Sequence, residues 1–311
     1  LTTYSYQNQL QFGYGPQAFN RRDHGLDLWY NFNRAERQPI SFVDELKRTA
    51  QVVYEQARAM GRPIYLLLSG GLDSAVMVKG FKAAGVPFKT ATYVFNDGLN
   101  EHEMQYIRPF EAAENLDAVH LNMDIRKWMH DGEALDLFLR TDSWETGTLP
   151  LMKLMGHVWS ELGGLPVFGG GDIDIVQKEG AWYYGRYESF LSRYWYCDIA
   201  GISDFVSFFQ HTPELTLAML SDPLIARAAT GQDQLANRVL RNLKIVKFKV
   251  YHRDFPDLQR RIKFGGTELI HSWLSPLEDS WRAKRQLSYG DLWMIPYDEL
   301  MEKLRPLGSV Y

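Results

Sequence analysis

Ile64-Tyr65-Leu66-Leu67-Leu68-Ser69-Gly70-Gly71-Leu72-Asp73-Ser74 is the stretch on which the fold turns. Five apolar residues run without alternation into a small glycine turn. Ala75, Val76, Val78, Phe81 and Ala83-Ala84 then recur at helical spacing. An unbroken apolar run bounded by a Gly turn reads as a strand buried on both faces, as in a parallel sheet. Strand, Gly turn and helix together make an anion cradle. Glycine lets the backbone approach closely, the first N–H groups of the helix are unsatisfied, and the helix dipole favours negative charge there. Asp73 is the unexpected member, because a carboxylate repels phosphate unless a cation bridges them. It suggests a Mg²⁺-nucleotide site. The alternative is a structural turn with Asp73 or Ser74 as helix N-cap.

Working outward, Ser41-Phe42-Val43-Asp44 forms a capping box with Asp in the acidic place. Val43, Leu46, Ala50, Val53 and Ala57 continue it as a helix that stops at Gly61-Arg62-Pro63. Beyond the glycine loop and its helix, Phe88 to Phe95 reads as a second strand, Glu101 to Asn115 as a helix through Pro109, and Ala118 to Met123 as a third strand. This β-α-β-α-β order predicts an α/β fold, a doubly wound, mostly parallel sheet with right-handed crossovers. Ligands of such sheets bind at the carboxyl ends of the strands. The loop from Leu68 to Ser74 and the end of the second strand at Val94 to Asp97 therefore point to phosphates and adenine respectively. Helices are expected over 131–139 and 149–162, and the methionines of the latter fit a core.

A second Gly-rich strand end follows at Leu165-Pro166-Val167-Phe168-Gly169-Gly170-Gly171-Asp172-Ile173-Asp174. Gly170 and Gly171 suit a phosphate. Asp172 and Asp174 suit Mg²⁺ shared with Asp73, because two carboxylates so close cannot both be buried without partners. A tight surface turn with solvated acids is the competing reading. From Trp182 the pattern becomes mainly helical, with segments expected at 198–210, 213–221 (Thr212 capping, Pro213 in the first turn), 223–229, 233–243, 245–253 and 297–304. Residues 1–40 mix polar and aromatic positions without a period and read as an arm or small hairpin. The expected division is an arm over 1–40, an α/β nucleotide-binding core over 41–180 and a mainly helical part over 181–311.

The bulk numbers set limits. The chain has 311 residues, with 34 basic and 38 acidic side chains and a formal net charge of −4. That balance argues against a dedicated nucleic-acid binder, although basic clusters lie at 238–249 and 260–263. No run approaches the roughly 18 apolar residues of a membrane span. One cysteine, Cys197, excludes an internal disulfide framework and a multi-cysteine zinc site. These features fit a cytoplasmic protein. Homo-oligomerisation is left open. The dense aromatic segment 182–196 fits a core, an interface or a substrate pocket.

Ser-Gly-Gly-Leu-Asp-Ser resembles the pyrophosphate-binding loop of the N-type ATP pyrophosphatases, or PP-loop enzymes. It is neither a Walker loop nor a dinucleotide fingerprint. The chain after about residue 40 is similar to the synthetase domain of asparagine synthetase and β-lactam synthetase, with the adenine nucleotide alpha hydrolase-like fold that implies. The family's second motif fits Val167 to Val176 without a gap and places Asp174 on a Mg²⁺-binding Asp. Gly171 stands where the family has Glu, and Asp172 where it has Gly. Lys244 falls on a helix lysine of the family. Lys263, in Arg261-Ile262-Lys263-Phe264-Gly265, falls on the lysine that contacts the α-phosphate and pyrophosphate. Glu145 or Asp142 lies near the expected acid beside the reacting carbonyl. The family's glutaminase domain, headed by a nucleophilic Cys, has no counterpart here.

The resemblance implies an ATP-dependent ligase that adenylates a small-molecule carboxylate, releases pyrophosphate and passes the acyl group to ammonia or an amine. Mg²⁺ would sit on Asp73 and Asp174, and Lys263 would stabilise developing charge. The competing expectations are a nucleobase- or tRNA-modifying enzyme of the same superfamily, and a non-catalytic nucleotide-binding protein.

Overall fold

The computed structural model describes residues 3–5, 10–15, 27–141, 143, 146–170, 175–187, 191–202, 206–229, 243–259, 271–285 and 292–308. The strands are β1 (Thr3–Ser5), β2 (Leu10–Gly15), β3 (Asp27–Phe32), β4 (Ile64–Leu67), β5 (Lys89–Phe95), β6 (Ala118–Met123), β7 (Leu165–Phe168), β8 (Ile175–Lys178), β9 (Ala181–Tyr187), β10 (Val206–Ser207) and β11 (Leu292–Pro296). The helices are α1 (Phe42–Ala59), α2 (Leu72–Ala84), α3 (Glu101–Glu114), α4 (Ile125–His130), α5 (Glu133–Arg140), α6 (Leu149–Ser160), α7 (Leu191–Ile199), α8 (Pro213–Leu220), α9 (Pro223–Ala229), α10 (Leu243–Asp254), α11 (His271–Arg285) and α12 (Tyr297–Leu304).

Five strands form one parallel sheet in the order β10-β7-β4-β5-β6. All four residues of β4 are buried, as its unbroken apolar run requires. From β4 the chain winds through β5 to β6 on one side. It then returns to lay β7 and β10 on the other. The reversal falls between β4 and β7, the place where open α/β sheets leave a crevice at the carboxyl ends of their strands. Both Gly-rich loops leave the sheet there.

The first helices form where the side chains direct them. The Ser41 hydroxyl accepts the Asp44 N–H at 3.1 Å and caps α1. Leu46, Ala50, Val53 and Ala57 make its buried stripe. A Cβ at Gly80 would stand 3.2 Å from Leu46 Cβ, so glycine sets how closely α1 and α2 approach. Glu45, buried at 1% exposure, takes a two-pronged guanidinium bond from Arg37 (2.7 and 2.6 Å) and the Ile40 N–H at 3.0 Å. Burial alone would raise this carboxyl, but the Arg37 fork and the Ile40 N–H hold it below the ordinary range. The segment before α1 is also tied to the far end of the chain. Ala35 N–H donates to Leu304 O at 2.8 Å, and Arg34 reaches the carbonyls of Glu302 and Arg305.

Several expectations from the sequence are corrected. Residues 1–40 contain a three-stranded antiparallel sheet, β1-β2-β3, rather than an arm or a single hairpin. Its last residue, Phe32, packs edge-on against Tyr184 at 5.6 Å. The expected helix over 131–139 forms as α5, starting after Gly132 with φ +90°, and a further short helix, α4, precedes it. The expected helix over 198–210 does not form. α7 ends at Ile199, Gly201 turns left-handed at φ +65°, and Val206–Ser207 pairs with Val167–Phe168 as the fifth strand. The aromatic segment 182–196 divides between β9 and α7, and β8-β9-β11 forms a third, antiparallel sheet. Trp182, Tyr184 and Tyr194 are buried in the core. α8 begins as expected, with Thr212 capping and Pro213 in the first turn. Most of the expected 233–243 helix lies outside the described residues.

Among the described residues no helix is long and apolar enough to cross a membrane. Cys197 is fully buried, and burial pushes its thiol well above the usual range, so it is unreactive.

Candidate functional site

The loop after β4 is closed largely by its own atoms. Leu68 N–H donates to Ala91 O on β5 at 3.0 Å. Gly70 then turns left-handed at φ +66°. A Cβ there would also stand 3.1 Å from Glu103 O and 3.3 Å from Ile107, because α3 packs directly on the loop. Gly71 is the N-cap of α2 and makes no side-chain cap, so neither Asp73 nor Ser74 caps the helix. The Ser74 hydroxyl instead donates to Gly71 O at 3.0 Å and lies 3.4 Å from both Ser69 N and Ser69 Oγ. The result is a compact turn that presents the start of a 13-residue helix to the crevice.

Asp73 sits in the first turn of α2, held by two residues from α10. The Tyr251 hydroxyl donates to Asp73 Oδ1 at 3.1 Å. The Lys247 ammonium lies 3.5 Å from Oδ2. Tyr251 is fully buried, its ring stacked on Phe42 at 5.8 Å and on Phe209 at 6.2 Å, nearly parallel to both. Burial, reinforced by the Asp73 charge, pushes the Tyr251 hydroxyl well above its usual range. It therefore stays protonated and acts as a fixed donor. Further along α2, Lys79 pairs with Glu114 at the end of α3 and with Asp257 just after α10, which fastens α10 beside the loop.

The β7 end closes the other wall. A Cβ at Gly169 would stand 3.1 Å from Ser74 N and 3.2 Å from the Asp73 carbonyl atoms. The two strand ends therefore meet backbone to backbone. Gly170 O accepts the Ser207 hydroxyl at 2.9 Å, which ties the turn to β10.

Between these walls lies a cavity of about 560 Å³. Leu68, Ser69, Asp73 and Ser74 line it at β4, Tyr93 and Phe95 at β5, and Gly169 at β7. Asn100 sets the β5 end by accepting the Phe95 N–H and donating to Tyr93 O. Thr146, Thr148 and α11 cover the cavity, and Glu278 accepts the Thr146 N–H at 2.6 Å. The cavity also holds one guanidinium. Arg193, from α7, lies 4.7 Å from the centre of the Phe168 ring.

The structure thus brings together Leu68, Ser69, Asp73, Ser74 and the β7 turn. Gly70 and Gly71 shape the loop, while Leu72 packs against the core. Val94 does not line the cavity. Thr92, Tyr93 and Phe95 hold the β5 side of the cavity instead. Gly170 is a structural turn residue rather than a lining one. Lys244 lies in α10, one turn before Lys247, and its side chain is outside the described residues. Gly171, Asp172, Asp174, Asp142, Glu145 and Lys263 are also outside them.

The sequence reading missed Lys247, Tyr251, Arg193 and Glu278. Lys247 and Tyr251 are four apart and share a helix face, so one signal for them was present. Nothing local marks Arg193 or Glu278. No group of three or more His, Cys, Asp or Glu side chains converges among the described residues. Asp73 is the hard-oxygen donor at the loop. A single carboxylate beside an open helix N-terminus suits Mg²⁺, which keeps several waters and shares its sphere with phosphate oxygens.

No family model matches the sequence, and no curated protein matches it. Among solved structures, the chain is similar to a crystal structure of NAD+ synthetase from Burkholderia pseudomallei. The identity is 16%, the TM-score 0.33, and the match covers 80% of this chain and 91% of that one.

Proposed function

We propose that the chain is a PP-loop ligase that activates a small-molecule carboxylate with ATP and passes the acyl group to ammonia or an amine. The observation that carries this reading is the placement of Asp73. It stands in the first turn of α2, under a glycine turn, at the crevice between β4 and β7, with a buried phenol fixing its orientation. The resemblance of Ser69 to Ser74 to a pyrophosphate-binding loop supports it, as does a cavity large enough for a nucleotide.

In this reading the N–H groups at the start of α2 and the loop hydroxyls hold the pyrophosphate portion of ATP. A carboxylate oxygen of the substrate attacks the α-phosphorus, and the bond to the bridging oxygen breaks, releasing pyrophosphate with its electron pair. The nitrogen lone pair of the amine then attacks the acyl carbon. The acyl–oxygen bond breaks, AMP leaves, and the nitrogen gives up a proton. Magnesium, when bound, neutralises charge on the phosphates; Asp73 would hold it, with Asp174 and Asp172 assigned by resemblance. Tyr251 keeps Asp73 Oδ1 occupied and its carboxylate plane fixed. Lys247 is close enough to Asp73 to share its charge with an incoming phosphate, the electrostatic strategy of such transfers. Arg193, the guanidinium of the cavity, suits the carboxylate substrate. Lys263 and Lys244 remain assignments from the resemblance, as does Glu145 near the carbonyl.

The test is a screen of carboxylates and amines with Mg²⁺-ATP, reading pyrophosphate and AMP. The expected outcome is substrate-dependent release of both in equal amounts. Formation of ADP and phosphate instead would sink the reaction class. Tight ATP binding without turnover of any substrate would leave a nucleotide-binding protein.

A further inference from the structure

Tyr93 lines a second cavity as well, of about 250 Å³, between the last turn of α6 and the end of α7. Tyr93 is 6% exposed, and its hydroxyl has no hydrogen-bond partner among the described residues. The groups whose charge it feels, Tyr196 and Glu161, both line this cavity, so the hydroxyl end of the ring faces it. Buried hydroxyls are normally hydrogen-bonded, so the position is poorly explained as packing alone.

The helix dipoles at the cavity have one sign, while its charged side chains, Glu161 and Lys153, have both. α6 ends at Ser160 and α7 at Ile199, and Ser160, Glu161 and Ala200 are all at the cavity. Two helix carboxyl ends, each carrying partial negative charge, therefore converge there. The Glu161 carboxylate stands at the rim, 3.1 Å from His157 Nε2. Lys153, the lysine among the described lining residues, is engaged, as Glu161 is by His157. Its ammonium is 3.2 Å from the Glu133 carboxylate and 5.3 Å from the centre of the Trp128 ring. The remaining wall is aromatic. Tyr93 and His157 meet edge to face at 6.3 Å. The Tyr196 hydroxyl lies so close to the Gly156 backbone that a Cβ there would be 1.9 Å from it. Burial, with the Cys197 thiol next to it, pushes the Tyr196 hydroxyl up to about 12, so it stays neutral in the wall. Aromatic rings, a carboxylate and helix carbonyl ends are the combination that recognises ammonium groups.

We propose that this cavity binds a small organic ammonium ion, the protonated form of a primary amine. The binding stands on the cavity alone. Its further assignment, as the place where the amine that receives the acyl group first docks, rests on the carboxylate-activation reading. Tyr93 is the wall common to both cavities, which would put the docked amine one side chain away from the crevice.

The experiment titrates n-propylammonium chloride into the full chain without nucleotide, at constant ionic strength, by calorimetry. Sodium propionate and n-propanol serve as the anionic and neutral compounds of similar size. Saturable binding of the ammonium ion alone is expected. Glu161→Gln and Tyr93→Phe should each weaken it about fivefold or more. Glu161 lies at the rim, so its variant keeps the test valid if Tyr93→Phe does not fold. Absence of saturable binding overturns the proposal, as does equal or tighter binding of propionate, or an affinity unchanged in the Glu161 variant. Carboxylate-dependent ATP–pyrophosphate exchange, run without amine, tests the other reading separately. Exchange without propylammonium binding removes this site only, and binding without exchange removes the ligase reading only.

Discussion

The carboxyl ends of β4 and β7 lie side by side, both rich in glycine, yet their glycines serve different needs. At β4, Gly70 supplies a conformation, φ +66°, that L side chains avoid. At β7, Gly169 is absent from the positive-φ glycines and supplies room, since any Cβ would press on the backbone of Asp73 and Ser74. The β4 end also carries charge, in Asp73. The described part of the β7 end, Leu165 to Gly170, carries none. Among the described residues, one end carries the charge and the other is the surface it is pressed against. Similar composition therefore serves different physical needs, even in neighbouring strands.

The strongest way to break this division is to remove the charge alone. Asp73→Asn keeps size and shape, and carboxylate-dependent pyrophosphate release should fall about 10²–10³-fold, the scale of losing a charge-stabilising group in an active site. Tyr251→Phe keeps both ring stacks and loses only the bond to Asp73 Oδ1. A hydrogen bond to a charged group is worth about 1.5–3 kcal/mol, so release should fall about tenfold or more, and the Mg²⁺ concentration for half-maximal rate should rise. A merely structural tyrosine would lower the melting temperature and leave the Mg²⁺ dependence where it was. If Asp73→Asn kept wild-type release, the β4 end would be no more chemical than the β7 end.

The glycines themselves give the next test, through stability and ATP affinity together. Gly169→Ala puts a methyl group against backbone that cannot swing aside, at a cost of about 1–3 kcal/mol for overpacking. Because the atoms it pushes belong to Asp73 and Ser74, ATP binding should weaken with it. Gly70→Ala combines a left-handed backbone, worth about 1–2 kcal/mol, with a contact on the α3 backbone. Gly85→Ala is the control for conformation alone, because φ is +66° there too but nothing lies within 4 Å of its Cβ. It should lose stability by the conformational term only and keep ATP affinity. Equal effects at all three positions, read by thermal melts and nucleotide titration, would erase the distinction between conformation and room.

The sequence made the middle of the sheet readable for a physical reason. β4, β5 and β6 are local objects, the first an unbroken apolar run and the others strand-length segments rich in apolar or β-branched residues between turn signals, and the helices between them show their period. β10 is two residues long, and only its pairing with β7 defines it. In the sheet of β1-β2-β3, Leu10-Gln11-Phe12-Gly13-Tyr14-Gly15 does alternate, but its glycines and the irregular β3 hide the period. In the site, the loop from Ser69 to Ser74 was readable because its bonds close within six residues. The residues that fix Asp73 were not, since Tyr251 arrives from 178 positions away. Val94 missed by one place, because the cavity takes its β5 wall from Thr92, Tyr93 and Phe95. Arg193 lay inside an aromatic segment that announced burial and hid the cation among the rings.

A second carboxylate, this one buried, separates stability from chemistry. Asp73 is held from far along the chain, whereas Glu45, in α1, is held by its near neighbours Arg37 and Ile40, which anchor the chain before the helix. Its folded-state value is depressed, because the Arg37 fork and the Ile40 N–H outweigh burial. A depressed carboxyl contributes stability that is complete above the unfolded value of about 4.3 and is lost as the pH falls through the lower folded value. The melting temperature should therefore hold from neutrality down to about pH 5 and then drop on further acidification. Glu45→Gln should remove about 1–3 kcal/mol at pH 7, the range of a hydrogen-bonded charge whose partner is partly open to water. It should flatten the Glu45 share of the acid limb, while pyrophosphate release per folded molecule stays unchanged. An acid limb of the same depth in the variant would mean that other carboxylates carry it.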